Sequence, residues 1–177
     1  MEMVHVHLVS SLIDPYSWKW VVLSLHHAVH AFLSASFEEG RAEEAGWGER
    51  GLRPSSEESW IEATPPADST DAEGGTTLTT LYGRAKSTLG FRPSEIVDVD
   101  LKRLAFGRAV LLDRLPARWR ISVRELPRIS RSGMGLIEYL GWSPGRISWG
   151  RESMLQLART KHHASMRILG AAEQAHN

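Results

Sequence analysis

The chain has 177 residues, 42% hydrophobic and 24% charged, and its 21 Lys/Arg offset 21 Asp/Glu to a formal net charge of zero. That is room for one well-buried core, in a composition ordinary for globular proteins. Zero cysteines exclude a disulfide framework, a thiolate nucleophile and a Cys-based zinc site, and fit a reducing, cytoplasmic setting.

The opening Val4-His5-Val6-His7-Leu8-Val9 alternates apolar and polar residues, which predicts a short strand. Asp14-Pro15 then has the form of a helix start, with Asp as cap and Pro at the first helical position. From Tyr16 to about Ser36 the pattern is helical: Trp18, Val21, Val22, Leu25, Val29, Phe32, Leu33 and Ser36 share one face. No uninterrupted run here or elsewhere reaches the roughly 18 apolar residues of a membrane span. No basic-then-apolar leader opens the sequence, so no membrane partner is expected. Between about 38 and 75 the chain turns acidic and rich in Gly, Pro and Ser, which predicts a long mobile loop with a short helix over 57–63.

A helix is expected over 77–89, with Leu78, Leu81, Tyr82 and Ala85 inward, and another over about 95–115, capped by Ser94 and stopped by Pro116. The latter carries Val97, Leu101, Leu104, Leu111, Leu112 and Leu115 on one face. Arg118–Val123 alternates and reads as extended, and Ile147-Ser148-Trp149 is the partner for Ile121–Val123 in a small hairpin packed on the helices. A helix over about 127–140 and a last one over about 151–174 complete the chain, the latter with Met154, Leu155, Ala158, Met166 and Leu169 inward. The expected fold is an all-α bundle with that minor hairpin, in a single domain over 1–177.

The neutral total hides a division. Residues 1–82 hold four Lys/Arg against thirteen Asp/Glu, net −9, and residues 83–177 hold seventeen against eight, net +9. Seven arginines lie between Arg108 and Arg131. Such a split marks either a surface for anionic partners or two halves that neutralise each other. Arg114, Arg118, Trp119 and Arg120 are the candidate RNA or anion contacts, with Trp119 able to stack on a base; the competing reading is a solvated basic face with Trp119 in the core.

His26 and His30 are one helical turn apart, the spacing of half a two-histidine metal site, with His162 or His163 as the nearest candidates to complete it. No HExxH and no acidic ligand at fixed spacing accompanies them, so no metal and no cofactor is assigned. Arg108 falls inside the apolar stripe of Leu101, Leu104, Leu111 and Leu115. A guanidinium there costs several kcal/mol unless it is paired or opens into a wet cleft, about as much as any buried unpaired charge. Both a structural ion pair and an anion site satisfy that requirement. No GxxxxGK[ST], GxGxxG or GxSxG motif is present.

The stretch DPYSWKWVVLSLHHAVHAFL from Asp14 resembles the first helix of a group of bacterial HEPN-like proteins, in which DPY-x-WKW runs into ALH-x-A. Those relatives carry a later helix ending in Arg-Asn-x-x-x-His, where this chain has Arg108–Asp113. Pro116, Trp119 and Ser122 fall near their P-x-G-W-S segment, and Leu126-Pro127-Arg128-Ile129 matches their LP-x-I helix start. The matches run in order from about residue 14 to 150. The resemblance implies a HEPN-type helical bundle, usually dimeric, whose active members cleave RNA without metal through an Arg-x4–6-His pair. In that chemistry the Arg stabilises the phosphate and the His moves protons. Here Arg108 is kept, Ala109 replaces the Asn and Asp113 replaces the His. A carboxylate beside a phosphodiester repels it and is a poor proton donor. The resemblance therefore implies a degenerate module that binds RNA, a nucleotide or a partner protein, as a homodimer or in a heteromer. The alternative is a metal-independent ribonuclease of toxin or defence type, using Arg108 with Asp113, His26 or His30.

Overall fold

A computed structural model of the chain describes residues 1–44, 77–112 and 122–176, with side chains for 1–38, 77–107 and 122–175. Six helices account for most of these residues: α1 (Glu2–Ser11), α2 (Trp18–Glu44), α3 (Leu78–Thr88), α4 (Glu95–Leu112), α5 (Leu126–Trp142) and α6 (Glu152–His176). Among the described residues there is no strand. The architecture is an all-α bundle in which α5 packs on α2, α4 and α6, and α1 lies between α2 and α6. The core is built from Leu25, Leu33, Leu104, Ile129, Met134, Leu136, Ile137, Leu140 and Leu169, all fully buried.

The strand expected at Val4–Val9 is instead α1, because Val4, Leu8 and Ser11 repeat at helical spacing and are the positions buried against the bundle. Packing overrides the local alternation, as it often does for β-propensity. Asp14 does cap, but what it caps is a 3₁₀ turn at Pro15–Ser17: its Oδ1 accepts from the Tyr16 N–H at 3.0 Å, and α2 follows at Trp18. The apolar face of α2 is buried as expected, from Trp18 to Ser36. α2 also runs on to Glu44, into the acidic stretch. The rest of that stretch, with the short helix expected at 57–63, lies outside the described residues. By length and composition Pro15–Glu38 would suffice to cross a membrane, with a mean hydropathy of 1.2, although polar residues interrupt its apolar run. In the bundle its apolar face is covered by α1, α3, α4 and α5.

Among the described residues the hairpin expected from Ile121–Val123 and Ile147–Trp149 is not formed; Ile121, with most of the extended run expected at Arg118–Val123, lies outside them. Val123–Glu125 is a 3₁₀ turn closed by a capping box, in which Ser122 Oγ accepts from the Arg124 N–H and Glu125 accepts from the Ser122 N–H. Those bonds use the backbone groups a strand would have paired. Along α6, Ala158 and Leu169 are buried but Met154 is exposed, against expectation. Glycine sets two close approaches. A Cβ on Gly133 would lie 2.9 Å from Leu25 Cδ2 and 3.0 Å from Leu104 Cδ2, where α2, α4 and α5 meet. One on Gly141 would lie 2.6 Å from Phe32 Cε1, under an aromatic cluster of Phe32, Trp142 and Trp149.

Candidate functional site

The site is organised by α4, whose start is fixed by Ser94: its Oγ accepts from the Val97 N–H at 3.4 Å and its carbonyl from the Asp98 N–H at 2.9 Å. Glu95 and Asp98 in the first turn complement the positive end of the helix. Asp98 also ties α4 to α3, meeting Lys102 at 2.6 Å, Lys86 at 2.8 Å and the Tyr82 hydroxyl at 2.9 Å. Hydrogen bonds from Lys102, Lys86 and Tyr82 hold its carboxyl well below the usual carboxylate range. Burial and the Asp98 carboxylate push the Tyr82 hydroxyl up.

On one flank α4 runs antiparallel to α2. A Cβ on Gly107 would lie 3.2 Å from Val22 Cγ1, while Leu104 and Leu25 meet over Gly133. Later residues of α4 thus lie beside earlier residues of α2. Position 108 follows Leu104 by four residues, so the register of α4 carries it on the buried side shared with Leu101 and Leu104. One turn after Val22 on α2 is His26, only 6% exposed, its ring edge-on to His27 at 6.0 Å. His30 is one further turn along and half-buried. The antiparallel register carries the backbone of Arg108 on from Val22 toward the start of α2, while His26 lies one turn from Val22 in the other direction. The Arg108 side chain, and all of Asp113, Arg114, Arg118, Trp119 and Arg120, lie outside the described residues.

The contact of α4 with α5 was not singled out from the sequence. Asp100 is fully buried, paired with Arg128 Nη2 at 3.0 Å and accepting from Ser132 Oγ at 3.0 Å. Arg103 Nη1 meets Glu125 Oε1 at 2.7 Å, and Arg128 Nη2 lies 3.6 Å from the same oxygen. The Arg103 hydrogen bond is the chief cause of the lowered Glu125 pKa. Asp100 stands four residues before Leu104 on the same stripe, so the test that marked Arg108 as misplaced in a core marks Asp100 as well. Of the seven arginines between 108 and 131, Arg128 is absorbed here and Arg131 by Glu173, at 3.0 Å. Part of the positive C-terminal half is thus neutralised within that half.

Among the described residues no group of three or more His, Asp or Glu is placed to hold a metal ion. His162 is fully buried on α6, its Nε2 donating to the Met134 carbonyl at 3.1 Å and its ring edge-on to Trp142. Burial lowers its pKa, against opposing contributions from that hydrogen bond and from Glu138. His163, beside it, is exposed. No family model, no curated protein and no solved structure matches the chain.

Proposed function

We propose that this chain is a HEPN-like helical module that binds RNA or a nucleotide through Arg108 at the α2–α4 seam without cleaving it, acting as a homodimer or on a partner protein. One observation supports this above the rest: Gly107 seats the last turns of α4 on Val22, one turn of α2 from buried His26. A guanidinium is more weakly hydrated than an ammonium and offers a rigid fork of donors suited to phosphate. Of the carboxylates on α4, Asp98 and Asp100 are already engaged by Lys86, Lys102 and Arg128.

Cleavage needs a group that gives and takes a proton at the 2′-hydroxyl and the leaving oxygen. The sequence has Asp113 where such a histidine would stand. His26 is the one imidazole that α2 buries close to the seam, and it favours ribonuclease chemistry as the second reading.

The deciding experiment incubates EDTA-treated protein with total RNA beside Arg108→Ala, and measures binding and cleavage together. The expected result is salt-dependent binding that Arg108→Ala weakens, with the RNA intact. Fragments ending in 2′,3′-cyclic phosphate, lost in Arg108→Ala, would replace this reading with the ribonuclease. No RNA or nucleotide binding, with a steep loss of stability in Arg108→Ala, would make Arg108 a purely structural ion-pair partner.

A further inference from the structure

The alternation Val4-His5-Val6-His7, folded as a helix, puts its two histidines on opposite flanks of α1. His5 faces α6, where its Nδ1 lies 3.3 Å from Ser165 Oγ, a fully buried hydroxyl. His7 faces α2, its ring stacked on Trp20 at 6.2 Å between centroids. Little else holds α1 in place. Val4, Leu8 and Ser11 are its buried residues, no side chain caps its first turn, and no basic residue stands in its last. It lies at the start of the chain, between α2 and α6. Ten residues are too few for a helix to persist in water once undocked, so the helix and its docking form one local unit.

We infer that α1 is a proton-gated helix, docked on α2 and α6 while His5 is neutral and released when His5 is protonated. The neutral ring meets the Ser165 hydroxyl in either tautomer. A protonated ring must instead hold a charge at a contact that takes it out of water, beside the Lys161 ammonium on α6. Glu2, one turn earlier on α1, favours the charged form, but burial and Lys161 outweigh it and hold the His5 pKa below its ordinary value. On the α2 side the Lys19 ammonium lies over the Trp20 ring that His7 stacks on, and such a ring does not select against a charged imidazole. His5 is therefore the gate. Undocking returns it to water, where it titrates near 6.5, so the released helix binds the proton more readily than the docked one. Docking is complete above that pH and weakens as the pH falls through about 6.5 toward the lowered value. Release bares Val4 and Leu8 together with the part of the apolar face of α2 that α1 covers.

Hydrogen exchange of the full chain tests it, read by mass spectrometry at about pH 7.5 and about pH 5.5 and corrected for the intrinsic pH dependence of exchange. The amides of α1 are expected to lose protection at least ~3-fold between the two conditions. His5→Gln keeps a hydrogen-bonding group against Ser165 but gains no charge, and its α1 protection is expected to stay level. Lys161→Met should make the loss shallower, and His7→Gln should leave it whole. The loss should also persist in His162→Gln, which separates it from an acid effect of that buried histidine on the entire bundle. No loss in wild type, an equal loss in His5→Gln, or a loss that vanishes in His162→Gln would overturn the inference. If His5→Gln does not fold, Lys161→Met decides, because its position is only half-buried, and an unchanged loss there would overturn it. Arg108 takes no part in this contact, so the gate and the RNA reading fail independently.

Discussion

Helix α4 is flanked by two seams that treat charge in opposite ways. Toward α5, buried Asp100 is matched by Arg128 and Ser132, with Arg103 and Glu125 closing the network at its edge. Toward α2 the contact is made by small and apolar groups, Gly107 on Val22 and Leu104 beside Leu25, with His26 one turn of α2 after Val22. The first seam satisfies its own charges and is structural. The second is built from small and apolar groups, and the proposed anion contact, Arg108, follows Gly107 directly in the chain.

The comparison breaks most readily at Arg128. Arg128→Met leaves the Asp100 carboxylate buried without its cation, and is expected to cost about 3 kcal/mol in urea unfolding, discounted for the exposure of the arginine. Arg108→Met is expected to be neutral or to stabilise by up to about 1 kcal/mol, because methionine suits an apolar stripe without a desolvated charge. Equal losses at the two positions would mean that Arg108 is also a structural ion-pair partner. Next in size is Gly133→Val, which drives a side chain into Leu25 and Leu104 where both seams meet; about 2 kcal/mol of destabilisation is expected from the melting temperature.

Acid sharpens the contrast between groups that fold neutral and groups that fold charged. His162 has a lowered native pKa, so the unfolded chain binds the extra proton, and stability should fall as pH drops below about 6.5, where the unfolded imidazole titrates. His162→Gln should flatten a pH series of urea midpoints in that window; an unchanged slope would contradict the assignment. Asp98 and Glu125 also have lowered native pKa values, and as carboxylates they act in a more acidic window. Their contributions are present at neutral pH and are lost only as pH falls below about 4 toward the lowered values. The smallest effect is expected for Glu125→Gln, within about 1 kcal/mol, because its partners Arg103 and Arg128 are both partly in water.

The helices were legible in the sequence because their stripes are long and well capped, as in α2 from Trp18 to Ser36 and α4 behind Ser94. Short patterns are decided by packing that the sequence does not show. The Val-His alternation in α1 concealed Val4, Leu8 and Ser11 at helical spacing, and Ser122-x-x-Glu125 is a capping box inside what reads as an extended run. Arg108 stood out as a lone cation on an apolar stripe. Asp100 carries the same signal with the opposite sign, but its partners Arg128 and Ser132 are about thirty residues away, and only the fold brings them together.

The most direct measurement is the affinity of single-stranded RNA for wild type and Arg108→Ala across a salt series, read by fluorescence anisotropy. The expected result is binding that weakens with salt, with Arg108→Ala at least ~10-fold weaker at low salt and its log–log slope shallower by about 0.7 to 1, the signature of one lost phosphate contact. Equal affinities and equal slopes for the two proteins, or no binding by either, would contradict the account.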